Sequence, residues 1–119
     1  MRITYATEAT PGRQNEDYVV AGPEWVVVLD GATAKPGVDS GCVHGPGWLV
    51  RQLAGVLAER LGVEDEAPLP DLLAEAIKAT GEGHADTCDL NNPDSPSATV
   101  AMLRRRGGVL DWLVLADAA

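Results

Sequence analysis

The first third of the chain alternates short apolar runs with turn-forming residues. Apolar and β-branched side chains dominate residues 2–6, 17–21 and 25–29, and turn signals rich in Gly and Pro lie between them, at 10–12 and 22–23. Short runs of this composition, bounded by Gly and Pro, are typical of β-strands. We therefore predict three antiparallel strands joined by tight connections at the start of the chain.

The middle of the chain changes to a helical period. Apolar residues recur three and four positions apart over 48–61, and Gly62 suits a C-terminal cap. A second stripe of this kind predicts a helix that begins near residue 71 and extends towards residue 88. The segments before and between these helices, 31–47 and 63–70, are rich in Gly, Pro or acidic residues and are predicted to be loops.

The last quarter of the chain returns to an alternation of period two. In residues 97–105, Val100 and Met102 alternate with polar neighbours, and 109–115 is a second, more apolar run. The Arg-Gly-Gly sequence at 106–108 predicts the turn of a β-hairpin. The order of strands, two helices and strands predicts an α+β fold with antiparallel sheets flanked by the two helices.

Length and charge narrow the possible functions. The chain has 119 residues, enough for at most one domain, and a formal net charge of −9. This charge argues against binding to nucleic acid or an anionic membrane, because both need clustered Lys and Arg. It is compatible with a phosphate substrate if bound divalent cations invert the local charge.

Targeting signals and cysteines indicate the cellular compartment. Residues 1–8 lack the apolar core of a signal peptide, and no apolar run approaches the roughly 20 residues of a membrane span. We therefore expect a cytoplasmic protein. In that compartment Cys42 and Cys88 are expected to be reduced thiols.

Carboxylates mark two strand ends and suggest a site. Asn15-Glu16-Asp17 opens the second predicted strand, and Asp30-Gly31 ends the third. Gly at such a position lets a ligand or another backbone segment approach closely. Two acidic strand ends close in sequence can converge on one hard cation, which prefers oxygen ligands. The pattern indicates metal-assisted chemistry.

Four motifs occur in an order that resembles a known family. Asn15-Glu16-Asp17 is followed by Val28-Leu29-Asp30-Gly31, and after the two helices come the small-residue run 95–100 and the strand end 113–118. Together they resemble the bacterial form of the metal-dependent type 2C serine/threonine protein phosphatases. The resemblance covers nearly all of residues 1–119 but only the N-terminal half of the family domain, so we expect a partial phosphatase-like domain.

The resemblance implies a fold, a reaction and a set of site residues. The family fold is a four-layer α-β-β-α sandwich, and the family reaction hydrolyses phosphoserine and phosphothreonine in phosphoproteins or phosphopeptides. Two Mn²⁺ or Mg²⁺ ions hold the attacking water. By this resemblance Asp30 is the bridging metal ligand, Gly31 offers a backbone carbonyl, Asp17 and Glu16 hold metal-bound waters, and Arg13 binds substrate phosphate.

Several positions depart from the family pattern. Arg13 is one position closer to Asp17 than is usual, and alanines flank Asp117 where Gly and Ser are common. The later metal-binding Asp residues of the family have no counterpart in this sequence. The enzyme assignment therefore stays open, and the alternative is a catalytically inactive phosphatase-like module that binds a partner or regulates one. The oligomeric state also stays open.

Other interpretations of the same residues compete with these. Without the other motifs, the Asp30-Gly31 pair is more typical of a strand-ending turn than of a metal site. A tetrahedral zinc site could use two cysteines and two histidines, but their spacing fits no standard finger, and buried thiols are the simpler interpretation. The four residues are Cys42, His44, His84 and Cys88.

Two further patterns have simpler structural explanations. We assign Ser97 and Thr99 to close packing, since no nucleophile elbow surrounds them. We expect the basic run 104–106 to be a solvated turn rather than a phosphate site. A haloacid-dehalogenase-like phosphatase is disfavoured, because Val28 stands where that family needs a second Asp and no βαβ alternation follows.

Overall fold

The computed structural model describes residues 2–12, 15–31, 46–63, 66–84 and 97–118. Its elements, in chain order, are β1 (Asp17–Ala21), β2 (Trp25–Gly31), α1 (Pro46–Val63), α2 (Leu69–His84), β3 (Ala98–Arg106) and β4 (Val109–Ala118). The strands form one four-stranded antiparallel sheet in the order β1-β2-β3-β4. The predicted α+β class with antiparallel strands and two helices is confirmed.

Both helices cover one face of the sheet, which we call the inner face. Alternate residues of the central strands point to it, so Val27 and Leu29 of β2 and Val100 of β3 are fully buried. The leucines at 49, 53 and 57 of α1 pack against them, and α2 adds Leu72 and Ala76. The core therefore lies between this face and the two helices, as the helical and alternating periods require.

The opposite, outer face of the sheet is also apolar, but it is exposed. The strand register aligns two apolar rows across the four strands, namely Val19–Val28–Ala101 with Val114 beside them, and Ala21–Val26–Leu103–Trp112. The side chain of Trp112 is 73% exposed and that of Val114 is 62% exposed. Within the described residues no helix or strand covers this face.

The predicted strand over residues 2–6 is wrong. Residues 2–10 have no regular structure, and most of their side chains are exposed. Strand propensity depends on pairing and burial rather than on the backbone alone. In the described sheet no further strand pairs with the free edge of β1, so residues 2–6 have no partner strand there.

The hairpin between β3 and β4 is confirmed, but its turn is shorter than predicted. Arg106 is the last residue of β3, and only Gly107 and Gly108 form the loop. Gly107 has a φ of 57°, in the left-handed region that glycine tolerates best. The helices also extend one or two residues further at some ends than the spacing suggested, so Gly62 lies inside α1 rather than beyond it.

Candidate functional site

The two acidic strand ends meet at one rim of the sheet. Asp17 of β1 is the register partner of Asp30 of β2, and Asp30 is in turn the partner of Thr99 of β3. Directly opposite residues in an antiparallel pair have Cβ atoms about 4.5–5.5 Å apart and share a face. Asp30 is exposed between the buried Leu29 and Gly31, so this row lies on the outer face. The convergence of the two carboxylates that the sequence suggested is present.

Local hydrogen bonds hold the acidic block against the end of β2. The backbone N–H of Asp17 donates to the side-chain Oδ1 of Asn15 at 3.0 Å. The Asn15 Nδ2 donates to the hydroxyl of Thr7 at 3.1 Å. The N–H of Gly31 donates to the carbonyl oxygen of Glu16 at 3.0 Å. These contacts position the carboxylates through backbone groups, as a short polar side chain at a strand start can do.

Negatively charged side chains lie close together at this rim. Partial loss of hydration, a hydrogen bond with Asp30, and the negative charges of Asp30 and Glu16 raise the pKa of Asp17. Two adjacent carboxylates resist simultaneous ionisation because their charges repel. A divalent cation between them would relieve that repulsion, and both groups offer the hard oxygen donors that Mn²⁺ and Mg²⁺ accept.

Within the described residues the carboxylate pair is too small to hold a metal ion by itself. No group of three or more His, Cys, Asp or Glu side chains within the described ranges is arranged to hold a metal ion. Asp17 and Asp30 therefore fit the chemistry of such a site but not its full number of ligands. Further ligands would have to come from water, backbone carbonyls or parts of the protein outside the described residues.

Several predicted site residues lie outside the described residues. Arg13, the candidate phosphate ligand, is one of them. Cys42, His44 and Cys88 are also outside them, and for His84 only the backbone at the end of α2 is described. The zinc alternative and the phosphate-binding role of Arg13 therefore stay predictions.

Thr99 lies nearer the candidate site than the sequence suggested. The sequence favours a packing role for Thr99, but this residue is exposed on the outer face, directly beside Asp30 in the register. Its small inward-facing neighbours Ala98 and Val100 are buried, so the alternation of β3 already indicated an outward Thr99. What the alternation could not show is that Asp30 would be its partner across the strands.

Comparison with solved structures shows what this fold is similar to. The crystal structure of the Mycobacterium tuberculosis serine/threonine phosphatase PstP/Ppp superposes with a TM-score of 0.56 at 20% sequence identity. The match covers 86% of this chain but 40% of the phosphatase chain. The two proteins therefore share a fold over less than half of the length of the phosphatase chain.

Comparisons by sequence add nothing to this likeness. No protein-family model matches the chain, and no curated protein matches it. In the described parts of the chain, neither helix is long and apolar enough to cross a membrane.

Proposed function

We propose that this chain is a partial domain of a metal-dependent phosphoserine/phosphothreonine protein phosphatase of the type 2C kind, acting on cytoplasmic phosphoproteins. The observation that supports it best is the pairing of Asp17 with Asp30 across β1 and β2, in a fold similar to part of a serine/threonine phosphatase. Its residues 1–119 would supply one part of the site.

The roles of the site residues follow from their chemistry and position. Asp30 and Asp17 would hold Mn²⁺ or Mg²⁺, with the carbonyl of Gly31 and the carboxylate of Glu16 as further oxygen donors. When bound, such an ion neutralises phosphoryl charge and lowers the pKa of coordinated water. The chain itself orients the carboxylates through Asn15 and the backbone of Gly31, and it leaves Asp30 exposed to an incoming phosphate.

Hydrolysis of p-nitrophenyl phosphate with added Mn²⁺ tests this proposal. We expect turnover that depends on Mn²⁺ and that falls in Asp30→Asn by more than the roughly 10- to 100-fold that loss of an outer-shell partner costs. The control is Glu59→Gln, which removes the same charge from an exposed position on α1 and should leave turnover unchanged. Equal loss in both variants would contradict the assignment of Asp30.

A second candidate function is a phosphatase-like binding module without turnover. The observation that favours it is that fewer than three potential metal-ligating side chains come together within the described residues. Calorimetric titration with Mn²⁺ and with a phosphoserine peptide separates the two candidates. Peptide binding by a folded chain that shows no turnover supports the module, whereas Mn²⁺-dependent turnover excludes it.

A further inference from the structure

Three consecutive arginines lie at the opposite end of the sheet from the carboxylate pair. The expectation that the run 104–106 forms a solvated turn is wrong, because all three residues belong to β3. Arg104 points to the inner face and is only 2% exposed. Its register partner is Trp25, five residues before Asp30, which separates the two regions by about 17 Å along the strand. A buried guanidinium group therefore lies at this end of the sheet, away from the carboxylate pair.

Among the described residues, fewer carboxylates than guanidinium groups take part in the ion pairs of this cluster. Nη2 of Arg104 lies 3.1 Å from Oδ2 of Asp111, and Nη2 of Arg106 lies 2.9 Å from the same oxygen atom. Arg105 forms a separate pair with Glu24, at 2.7 and 3.0 Å. Two carboxylates therefore serve three guanidinium groups in these ion pairs, and one oxygen atom of Asp111 is shared by two of them.

Arg104 also has hydrogen-bonding capacity that the described residues do not use. Its Nε and Nη1 are buried, and neither has a hydrogen-bond partner there. Buried polar groups almost always have a partner, and a charged donor left without one is costly. The missing group should be an acceptor.

A cavity of about 340 Å³ lies against this cluster. Its lining includes the three arginines and two acidic residues, Glu24 and Glu66, with Trp25 and Leu61 as apolar walls. The carbonyl oxygen of Glu66, not its carboxylate, accepts the hydrogen bond from Nη1 of Arg106, at 2.9 Å. This volume is at the lower end of the range for small-molecule sites. The cavity is thus large enough for a phosphate group, and Arg104 and Arg106 are among the residues that line it.

We propose that this cavity binds a phosphate group, either as free phosphate or carried on a peptide side chain, through Arg104 and Arg106. Guanidinium groups match the oxygen geometry of phosphate and form strong, charge-assisted hydrogen bonds with it. The site is separate from the carboxylate rim and needs no metal ion. It does not depend on the proposed phosphatase activity, so the two proposals can fail independently.

The test is a titration of the full chain with inorganic phosphate, without metal and at constant ionic strength. The N–H resonance of the Arg104 side-chain Nε, assigned by nuclear magnetic resonance, reports directly on the proposed contact. We expect it to shift and saturate at millimolar phosphate. The absence of a saturable shift, or the same shift with equimolar chloride, would overturn the proposal.

Variants at the cavity wall make the test specific without removing the buried arginine. Arg106→Gln should weaken phosphate binding about tenfold, since it removes a charged donor. Glu66→Gln should strengthen binding, because it removes a negative charge from the lining. Arg51→Gln, on an exposed position of α1, carries the same charge change as the first variant and should have no effect. Equal weakening by Arg106→Gln and Arg51→Gln would overturn the proposal.

The source of the phosphate group is distinguished by a second titration under the same conditions. A phosphoserine peptide is compared with inorganic phosphate and with the unphosphorylated peptide. Tighter binding of the phosphopeptide than of inorganic phosphate identifies a peptide-borne group, and weaker or equal binding identifies free phosphate. Equal binding of the two peptides, with no shift of the Arg104 resonance, would overturn the proposal.

Discussion

Asp111 serves two arginines with one carboxylate oxygen, and this geometry changes its acidity. The hydrogen bond from Arg104 lowers the pKa of Asp111, and the charge and the hydrogen bond of Arg106 lower it further. Partial loss of hydration opposes this shift but does not cancel it. Glu24 also has a lowered pKa, chiefly because of its hydrogen bond from Arg105, but that pair is exposed on both sides. The two ion pairs therefore differ in their expected contribution to stability, because only the pair of Arg104 with Asp111 includes a buried guanidinium group.

Replacement of Asp111 tests this difference. We expect Asp111→Asn to lower the free energy of unfolding at neutral pH more than Glu24→Gln does, because it leaves the buried charge of Arg104 without its partner. Exposed pairs contribute little by comparison. Urea unfolding of both variants and the wild type gives the comparison, and an equal loss in the two variants would contradict it.

The lowered pKa of Asp111 also predicts that the stability of the protein depends on pH. A carboxyl group whose pKa is lower in the folded state contributes stability above its unfolded pKa, and that stability is lost as the pH falls through the folded value. The ordinary value for Asp111 is 3.8, so the advantage of the wild type over Asp111→Asn should be complete above that pH and should shrink below it. Unfolding measured over a pH series tests this, and a constant difference at acid pH would count against it.

Strand β2 shows how one element carries two different faces. Leu29 is fully buried against the helices, whereas the adjacent Val28 is 45% exposed on the outer face. Both are apolar, so the sequence of this strand does not show a hydrophobic-polar alternation. Their energetic roles should differ, because only one of them fills space inside the core.

A pair of alanine substitutions measures this asymmetry. Leu29→Ala should destabilise the fold by about 2–5 kcal/mol, since it removes buried methyl groups and leaves a cavity. Val28→Ala should cost much less, because no described element packs on that face. Chemical denaturation of both variants gives the two values, and similar losses would indicate that the outer face is buried in solution.

The β3–β4 turn offers a second test at the level of an element. Gly107→Ala should cost about 1–2 kcal/mol, because a side chain disfavours the left-handed backbone at this position. Gly108→Ala is the control, since Gly108 is not among the positive-φ glycines described and no atom lies within 4 Å of the added carbon at either position. A larger loss at Gly108 would contradict this account of the turn.

At the scale of the whole molecule, the sheet has one covered face and one open face. Contiguous exposed apolar patches of more than a few hundred Å² are rare on monomeric soluble proteins. Here apolar residues that are half-buried or exposed extend over all four strands of the outer face, from Val19 and Val28 to Val114. The open face and the rim that carries Asp17 and Asp30 are continuous.

Dye binding measures this exposure directly. The native chain should enhance the fluorescence of 8-anilinonaphthalene-1-sulfonate, a dye that reports exposed apolar surface. Trp112→Ser and Val114→Thr should reduce the signal, whereas Val63→Thr, an exposed residue at the end of α1, should leave it unchanged. No reduction in the two sheet variants would show that the outer face is not the binding surface.

The elements of this protein follow largely from its sequence. Short apolar runs and the period of two predict β1 to β4, and the period of 3.6 residues predicts both helices. Gly and Pro between them predict the hairpin turn, and all of these signals are local. The α+β class follows from their order. The acidic strand ends were also visible in the sequence, since Asp17 and Asp30 stand at the ends of apolar runs.

Only the tertiary structure decided which residues face each other. It placed Asp17 opposite Asp30 and Thr99 beside them, left residues 2–6 without a partner strand, and buried Arg104 on the inner face of the sheet. Register and burial depend on contacts between segments far apart in the chain, so local propensity cannot specify them. The same sequence pattern, apolar residues next to a charge, therefore gave an exposed carboxylate at one end of the sheet and a buried guanidinium at the other.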